Sequence, residues 1–282
     1  MKLLVLGGHG MAGHVITNYF KQKDNFQVFY TSRNKTDKDS IYLDVTNLTR
    51  LEEIIDIIKP DFIINCIGVL IKYAQKNPEM AYQINSILPY QITKLADRYQ
   101  SKLIHLSTDC VFSGKQGNYT EDDEADGTTI YAQSKKLGEI KEDHHLTIRT
   151  SIIGPEMKDD GQGLFLWFMK QQGQIKGFEK VLWNGITTLE LAKAIDVMIE
   201  EQVTGLVHIG AKQKVSKYTL LKLIQDIFDK HDVDIIADDE NTLDRTVQSN
   251  RNDFSYDVPS YENMLLEMKE WMEQYKSLYE RL

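Results

Sequence analysis

The sequence predicts an α/β fold: a doubly wound parallel sheet followed by a smaller C-terminal α/β lobe. Three observations carry that reading. Short apolar runs alternate with amphipathic stretches through the first half of the chain, the runs are unbroken rather than alternating, and glycines cluster directly behind the first of them. Residues 2–6 form that first run, and Val15, Ile16, Tyr19 and Phe20 beyond the glycines share one helix face, which reads as strand, turn, helix. Residues 26–30 follow as a strand, 48–58 as a helix, 61–66 as a strand, 81–96 as a helix and 103–106 as a strand. Alternation at this interval implies right-handed βαβ units. Helices then cover both sheet faces, which is why Phe62-Ile63-Ile64 and Leu103-Ile104 are continuous apolar runs. After the strand-like run at 146–149 the rhythm changes to a glycine-rich, charged segment at 154–163, so a boundary near Thr150 is expected, giving domains 1–150 and 151–282 with some chain crossing between them. The second part carries helices at 189–201, 217–228 and 261–275, and the apolar stretch 164–169 reads as a core or lobe-packing helix.

Composition narrows the function classes. At 41% hydrophobic and 27% charged residues the chain has enough apolar surface to bury a sizeable core, which excludes a disordered protein. A net charge of −9 repels polyanions, so nucleic acid is not an expected partner. Cys66 and Cys110 both lie in or beside apolar runs, the setting of small buried hydrophobes in a reducing compartment rather than of a disulfide framework. The N-terminal apolar run is too short for a signal-peptide core, and no stretch approaches the ~18 apolar residues of a membrane span. A cytoplasmic protein with no membrane partner is expected.

Chemistry concentrates at three places. Gly7-Gly8-His9-Gly10-Met11-Ala12-Gly13 lies between a strand and a helix, where a turn without side chains lets backbone N–H groups approach a pyrophosphate at the helix N-terminus. Two spacings fit, Gly8-Gly10-Gly13 and Gly7-Gly10-Gly13. The next strand ends in Tyr30-Thr31-Ser32-Arg33-Asn34-Lys35, with no carboxylate to grip the ribose hydroxyls of NAD. Ser32 and Arg33 suit a 2′-phosphate, so NADPH is preferred and NADH is the second choice. Third, Ser107-Thr108-Asp109 closes a strand and Tyr131 and Lys135 follow in a helix, about one turn apart and on one face. An ammonium beside a phenol favours the phenolate and brings tyrosine toward the working pH of an acid-base catalyst, while Thr108 orients a carbonyl.

With these motifs stand Leu43-Asp44-Val45-Thr46, Asn65-Cys66-Ile67-Gly68, the stretches 107–114 and 131–139, and Arg149-Thr150-Ser151. On them the chain resembles the extended short-chain dehydrogenase/reductases, and within these the dTDP-4-dehydrorhamnose reductase family. The resemblance covers most of the first domain and thins to the stretch 184–192 and Asp244-Arg245 beyond it. It implies a Rossmann-type sheet in which Gly7, Gly10 and Met11 meet the pyrophosphate, Ser32 and Arg33 the adenosine ribose phosphate, and Asp44 and Val45 the adenine. Cys66, Ile67 and Gly68 would then lie by the nicotinamide ribose, Thr108, Tyr131 and Lys135 would form the catalytic group, and Asp109 would stand beside the sugar. Ala132, Cys110 and Leu6 depart from the residues usual in that family, glycine, tyrosine and threonine.

The reaction so implied is NADPH-dependent reduction of the C4 ketone of a dTDP- or UDP-linked 4-keto-6-deoxyhexose, a step toward bacterial surface polysaccharide precursors. Arg149, Arg245 and Arg251 are candidates for the substrate diphosphate, with Thr108, Asp109 and Arg149 on the substrate side. Two other readings stay open: a non-catalytic nucleotide-binding regulatory subunit, and an NAD-retaining epimerase or dehydratase. A homodimer is also left open. The acidic stretch 121–126 reads as a solvated loop. His144-His145 lack metal-ligand spacing with acidic or cysteine partners, so no metal is expected.

Overall fold

The computed structural model describes residues 1–280. Its centre is a seven-stranded parallel sheet of β1 (Lys2–Leu6), β2 (Gln27–Ser32), β3 (Ile41–Tyr42), β4 (Phe62–Asn65), β5 (Lys102–Leu106), β6 (Leu146–Arg149) and β11 (Gly205–His208), in the order β11-β6-β5-β4-β1-β2-β3. Strand direction of growth reverses at β1: β2 lies on one side and β4 on the other, paired Lys2 with Gln27 and Leu3 with Phe62. In open α/β sheets that reversal leaves a crevice beyond the strands' carboxyl ends, where ligands bind.

The apolar runs divide between two cores as doubly covered strands require. Leu3, Val5, Ile64 and Ile104 pack on one face with Ile16 and Phe20 of α1 (Met11–Lys21). Leu4, Leu6, Ile63 and Leu103 pack on the other with Leu51, Ile54 and Ile55 of α2 (Leu48–Ile58) and Ile92 of α5 (Leu88–Arg98). The helix expected at 81–96 is built in pieces. After α3 (Ile71–Lys76), α4 (Pro78–Tyr82) runs into a π turn at Gln83–Ile87 before α5.

Beyond α6 (Ile130–Leu137) and β6, the chain forms β7 (Ile152–Ile153), α7 (Leu164–Met169), β8 (Gly173–Phe178), β9 (Val181–Trp183) and β10 (Ile186–Thr187). It then returns to the sheet: α8 (Thr188–Glu200) packs Leu191, Ile195 and Met198 into the α1 core, and β11 joins β6 as the outer strand. Residues 188–208 thus belong to the sheet half although they follow Thr150. The lobe is completed by β12 (Val215–Ser216), α9 (Lys217–Ile227), β13 (Val233–Asp238), β14 (Leu243–Asp244) and α10 (Tyr261–Gln274), with β8 paired to β13 and β9 held between β12 and β14. Phe165 and Phe168 of α7 are fully buried in the α1-side core. Among the described residues no helix is long and apolar enough to cross a membrane.

Candidate active site

The glycine turn takes its shape from Gly7 and Gly13. Gly7 has φ +84°, and its carbonyl accepts the Gly10 N–H at 2.9 Å. A Cβ on Gly13 would stand 2.2 Å from that same carbonyl oxygen. Of the two spacings left open by the sequence, Gly7-Gly10-Gly13 therefore forms the close contacts of the turn, and Gly8 lies against the Tyr30 ring. Gly10 caps α1 without a side-chain hydrogen bond, and no acid occupies the first turn, so the helix presents bare N–H groups from Met11 onward. Gly7 also abuts Ile67, which brings the loop Cys66-Ile67-Gly68 to the point where the sheet order reverses.

At the end of β2, Ser32 is buried and its hydroxyl is engaged inside its own loop, 2.9 Å from the Ser40 hydroxyl and accepting the Asn34 N–H at 3.1 Å. Arg33 is exposed. The Thr46 hydroxyl and N–H hold the Asp44 carboxyl below its ordinary range, with Arg33 assisting. Val45 beside it is buried. The carboxylate missing from 30–35 arrives as Asp37, bonded to His9 of the glycine turn at 2.7 Å and to the Tyr30 hydroxyl at 3.1 Å, so the loop closes back onto the turn.

The carboxyl end of β5 carries Thr108, whose hydroxyl accepts the Cys110 N–H and donates to Asp109, each at 3.1 Å. Tyr131 enters from α6, whose N-cap Thr129 accepts the Ala132 N–H at 3.1 Å. Burial pushes the phenol far above its ordinary range, Cys110 and Asp109 add to that, and a hydrogen bond with Thr108 opposes it. Lys135 is 4% exposed, and burial brings it down to about 8 against the pull of Glu139 and Cys66. Its nitrogen donates to the Leu106 carbonyl at 2.7 Å and lies 3.3 Å from His105 Nε2. Desolvation is the largest influence on both groups, raising the phenol and lowering the lysine.

Several residues escaped the sequence reading. Asn85, set by the π turn, accepts the Val69 N–H at 2.8 Å and donates to the Val69 carbonyl at 2.9 Å and to the Ser134 hydroxyl at 3.0 Å. It ties the 66–69 loop to the stretch of α6 between Tyr131 and Lys135, and π turns recur at functional sites for this kind of displacement. From the lobe, Lys217 at the start of α9 is brought by burial down to about 8, opposed by Asp109 and Cys110, with its nitrogen 4.9 Å over the Trp183 ring. Burial raises Asp109, while Lys217, Arg245, Thr108 and Ser151 pull it back. Arg245 donates to the Phe112 carbonyl at 3.0 Å.

Several expectations are refined. Arg149 is 3% exposed and donates from Nε and Nη2 to the two Glu139 oxygens at 2.7 Å each, so it faces the interior and not a substrate. Arg251 is likewise tied down, to Asp253 and to the Thr204 and Leu206 carbonyls. The acidic stretch is a loop with Asp122, Glu124 and Asp126 exposed, and it is also tied down: Glu121 accepts the His208 N–H and the Ser249 hydroxyl at 2.7 Å each, and Asp126 accepts the Ser113 N–H at 2.7 Å. His144 and His145 do find an acidic neighbour, Asp97. His145 Nδ1 accepts the Leu103 N–H at 3.0 Å, which leaves its proton on Nε2 facing Asp97 at 3.1 Å, a sheet clamp with no lone pair offered to a cation.

The glycine-cradled end of α1, Thr108 beyond β5, and Tyr131 and Lys135 on α6 make up the candidate site, and comparison with known proteins places the chain in a family. The family described as RmlD substrate binding domain matches residues 1–281. The chain belongs to that family. A dTDP-4-dehydrorhamnose reductase of Aggregatibacter actinomycetemcomitans is 31% identical over 140 residues, 49% of this chain and 45% of that protein. A probable low-salt glycan biosynthesis reductase of Haloferax volcanii is 29% identical over 143 residues, 49% of this chain and 48% of that protein. The chain thus spans about half the length of these curated relatives. In fold, this RmlD-family chain is similar to the dTDP-4-dehydrorhamnose reductase from Bacillus anthracis solved in complex with NADP, with a TM-score of 0.81 at 20% identity over 96% of this chain and 99% of that one.

Proposed function

We propose that the protein reduces the C4 ketone of a nucleotide-linked 4-keto-6-deoxyhexose with NADPH. The observation that carries this reading is the meeting of Thr108, Asp109 and Tyr131 with Lys217 and Arg245 of the lobe, beside a crevice whose glycine turn leaves no room for a Cβ. The residues present fit the cofactor: uncapped α1 N–H groups for the pyrophosphate, exposed Arg33 for a 2′-phosphate, and the Cys66–Gly68 loop for the inner ribose. When bound, the reduced nicotinamide supplies a hydride.

The chain supplies the rest. Tyr131 stays protonated through the neutral range and is the proton donor: its O–H proton passes to the carbonyl oxygen as the carbon gains hydride, leaving an alcohol and a phenolate that water re-protonates. Thr108 polarises the carbonyl. Lys217 and Arg245 provide positive charge on the lobe side, which an anionic substrate needs in a chain of net charge −9. A concavity of about 750 Å³ on the outer side of α6 is a poorer candidate, because Glu121, Asp122, Asp123, Glu124 and Glu142 line it.

The test mixes purified protein with NADPH and dTDP- or UDP-linked 4-keto-6-deoxy sugars and follows nicotinamide absorbance. Oxidation that disappears in Tyr131→Phe while NADPH still binds is the expected result. Binding without turnover on every sugar would make the protein a nucleotide-binding subunit, and turnover without net loss of NADPH would make it an epimerase or dehydratase.

A further inference from the structure

A buried hydrogen-bond chain runs from the glycine turn to Tyr279, and the reaction above does not use it. His14 lies one turn into α1, and Tyr279 follows the short turn Lys276–Leu278 beyond α10. Both are buried. His14 Nδ1 is 2.8 Å from the Gly10 carbonyl oxygen, and Nε2 is 2.8 Å from the Tyr279 hydroxyl. Counting donors and acceptors fixes each proton. A carbonyl oxygen only accepts, so Nδ1 carries the ring's proton and donates it. Burial brings His14 down to about 4, with the Gly10 carbonyl opposing and His9 adding, so the ring is neutral at pH 7 and Nε2 is a bare acceptor. Burial pushes the Tyr279 phenol above its ordinary range, so it keeps its O–H and donates to Nε2.

The Gly10 carbonyl and the Met11 N–H belong to one peptide unit, planar and trans, so they point in opposite directions. The carbonyl points into α1, where it also accepts the His14 N–H at 3.1 Å as the first bond of the helix. The Met11 N–H therefore points out of the helix end, one of the bare donors that suit a pyrophosphate. A donor on the carbonyl polarises the amide and strengthens its N–H, and two donors on one oxygen hold the peptide plane. We propose that His14 and Tyr279 are positioning residues for the dinucleotide: Tyr279 sets the His14 tautomer, and His14 aims and polarises the peptide that offers the Met11 N–H. The segment that carries Tyr279 is docked on the flank of α1 and α8, where Trp271 and Tyr279 pack with Val15 and Leu189. Gln22, capping the other end of α1, donates to the Tyr275 hydroxyl at 2.6 Å. Docking of this segment and cofactor affinity are then one coupled equilibrium, each strengthening the other by the same factor. The proposal rests on a dinucleotide at the N-terminus of α1 and is independent of which sugar is reduced.

The experiment uses the full chain and NADPH alone. Tyr279→Phe keeps the ring, which meets the His14 ring at 5.7 Å between centroids, and removes only the hydroxyl. Fluorescence titration is expected to show NADPH binding about fivefold weaker in the variant, the size of one net hydrogen bond. The Tyr275, Leu278 and Tyr279 amides donate to the Trp271, Tyr275 and Lys276 carbonyls. Saturating NADPH is expected to slow their hydrogen exchange in wild type by a similar factor, beyond any slowing that the α2 amides share, and to have no such effect in Tyr279→Phe. A segment that only packs against α1 would exchange at a rate indifferent to NADPH in both proteins. Long-range 1H–15N spectra of wild type at pH 7, with His14 assigned by its loss in His14→Gln, are expected to show Nδ1 protonated and Nε2 bare. Unchanged NADPH affinity in Tyr279→Phe, wild-type exchange that ignores NADPH, or a ring protonated on Nε2 would each overturn the proposal. Should Tyr279→Phe fail to fold, the two wild-type measurements decide. A wild-type chain that binds no NADPH would overturn the dinucleotide reading and the proposal with it, and the titration tells that failure from the others.

Discussion

Replacing Glu139 by leucine should cripple the fold, and the size of the effect follows from the contacts. Glu139 accepts Arg149 Nε and Nη2 at 2.7 Å each and the Ser107 hydroxyl at 2.7 Å, with side-chain exposures of 3% for the arginine and 1% for the glutamate. Without the carboxylate, the guanidinium keeps His208 at 3.2 Å and the Phe112 ring face at 5.1 Å, neither of which neutralises it. Removing one partner of a buried pair costs about 3–5 kcal/mol. The orphaned Ser107 hydroxyl adds about 1 kcal/mol. A total of about 4–6 kcal/mol approaches the whole stability of many domains. The double variant Glu139→Leu/Arg149→Met buries no unpaired charge, and apolar replacement of a buried pair is often close to neutral, so most of the loss should be recovered. Urea unfolding followed by tryptophan fluorescence, run on wild type, both single variants and the double variant, measures the coupling. A double variant no more stable than Glu139→Leu would refute the reasoning. So would an Arg149→Met protein of unchanged stability that had lost only substrate affinity, since that is the behaviour of an arginine serving the ligand.

Three further outcomes follow from the same geometry. In Lys135→Met, the stability difference from wild type should change with pH. The unfolded chain binds the lysine proton up to about pH 10.5 and the folded chain only to about 8, so wild type gains about 1.4 kcal/mol per pH unit on the variant between those values, about 3 kcal/mol in all, and a difference that stays flat from pH 7 to 10 would contradict it. Gly13→Ala puts a methyl against the Gly7 carbonyl and should weaken NADPH binding at least tenfold by fluorescence titration; an unchanged affinity would show that the turn tolerates a side chain. Lys217→Met should leave NADPH affinity intact while raising KM for the sugar nucleotide about tenfold, and an unaltered KM would place the substrate anion elsewhere.

The sheet was legible because burial on both faces leaves a signature no solvent-facing strand can carry: Leu3 through Leu6 all point into one core or the other. The α2 boundaries, 48–58, were readable from periodicity for the same reason. What periodicity could not reveal is where the chain returns. Nothing local in Gly205–His208 distinguishes a seventh strand of the first sheet from a strand of the lobe, because the choice is made by pairing with Leu146–Arg149 about sixty residues earlier. Charge was harder still. Arg149 and Lys217 look alike on the page of a sequence, yet one is consumed by Glu139 and the other stands over Trp183 beside Asp109. The Asn85 bridge depends on a π turn, a one-residue shift in helical register that amphipathic spacing does not announce.

At the site it is burial that governs the charge of both lysines. An ammonium beside Tyr131 would lower the phenol's proton affinity and make it a stronger acid. Lys135 meets a low-polarity interior and lies 3.3 Å from His105 Nε2, while the charge of Lys217 is favoured by Asp109, a carboxyl whose own charge burial disfavours. Both lysines settle near 8, where the gain or loss of a proton takes little free energy at working pH. On the proposed reaction, negative charge on the Tyr131 phenolate or on a substrate diphosphate would favour the ammonium forms most when that charge is greatest. Stabilisation that grows with developing charge acts on the transition state more than on the resting complex, which is the condition for raising a rate rather than only tightening binding.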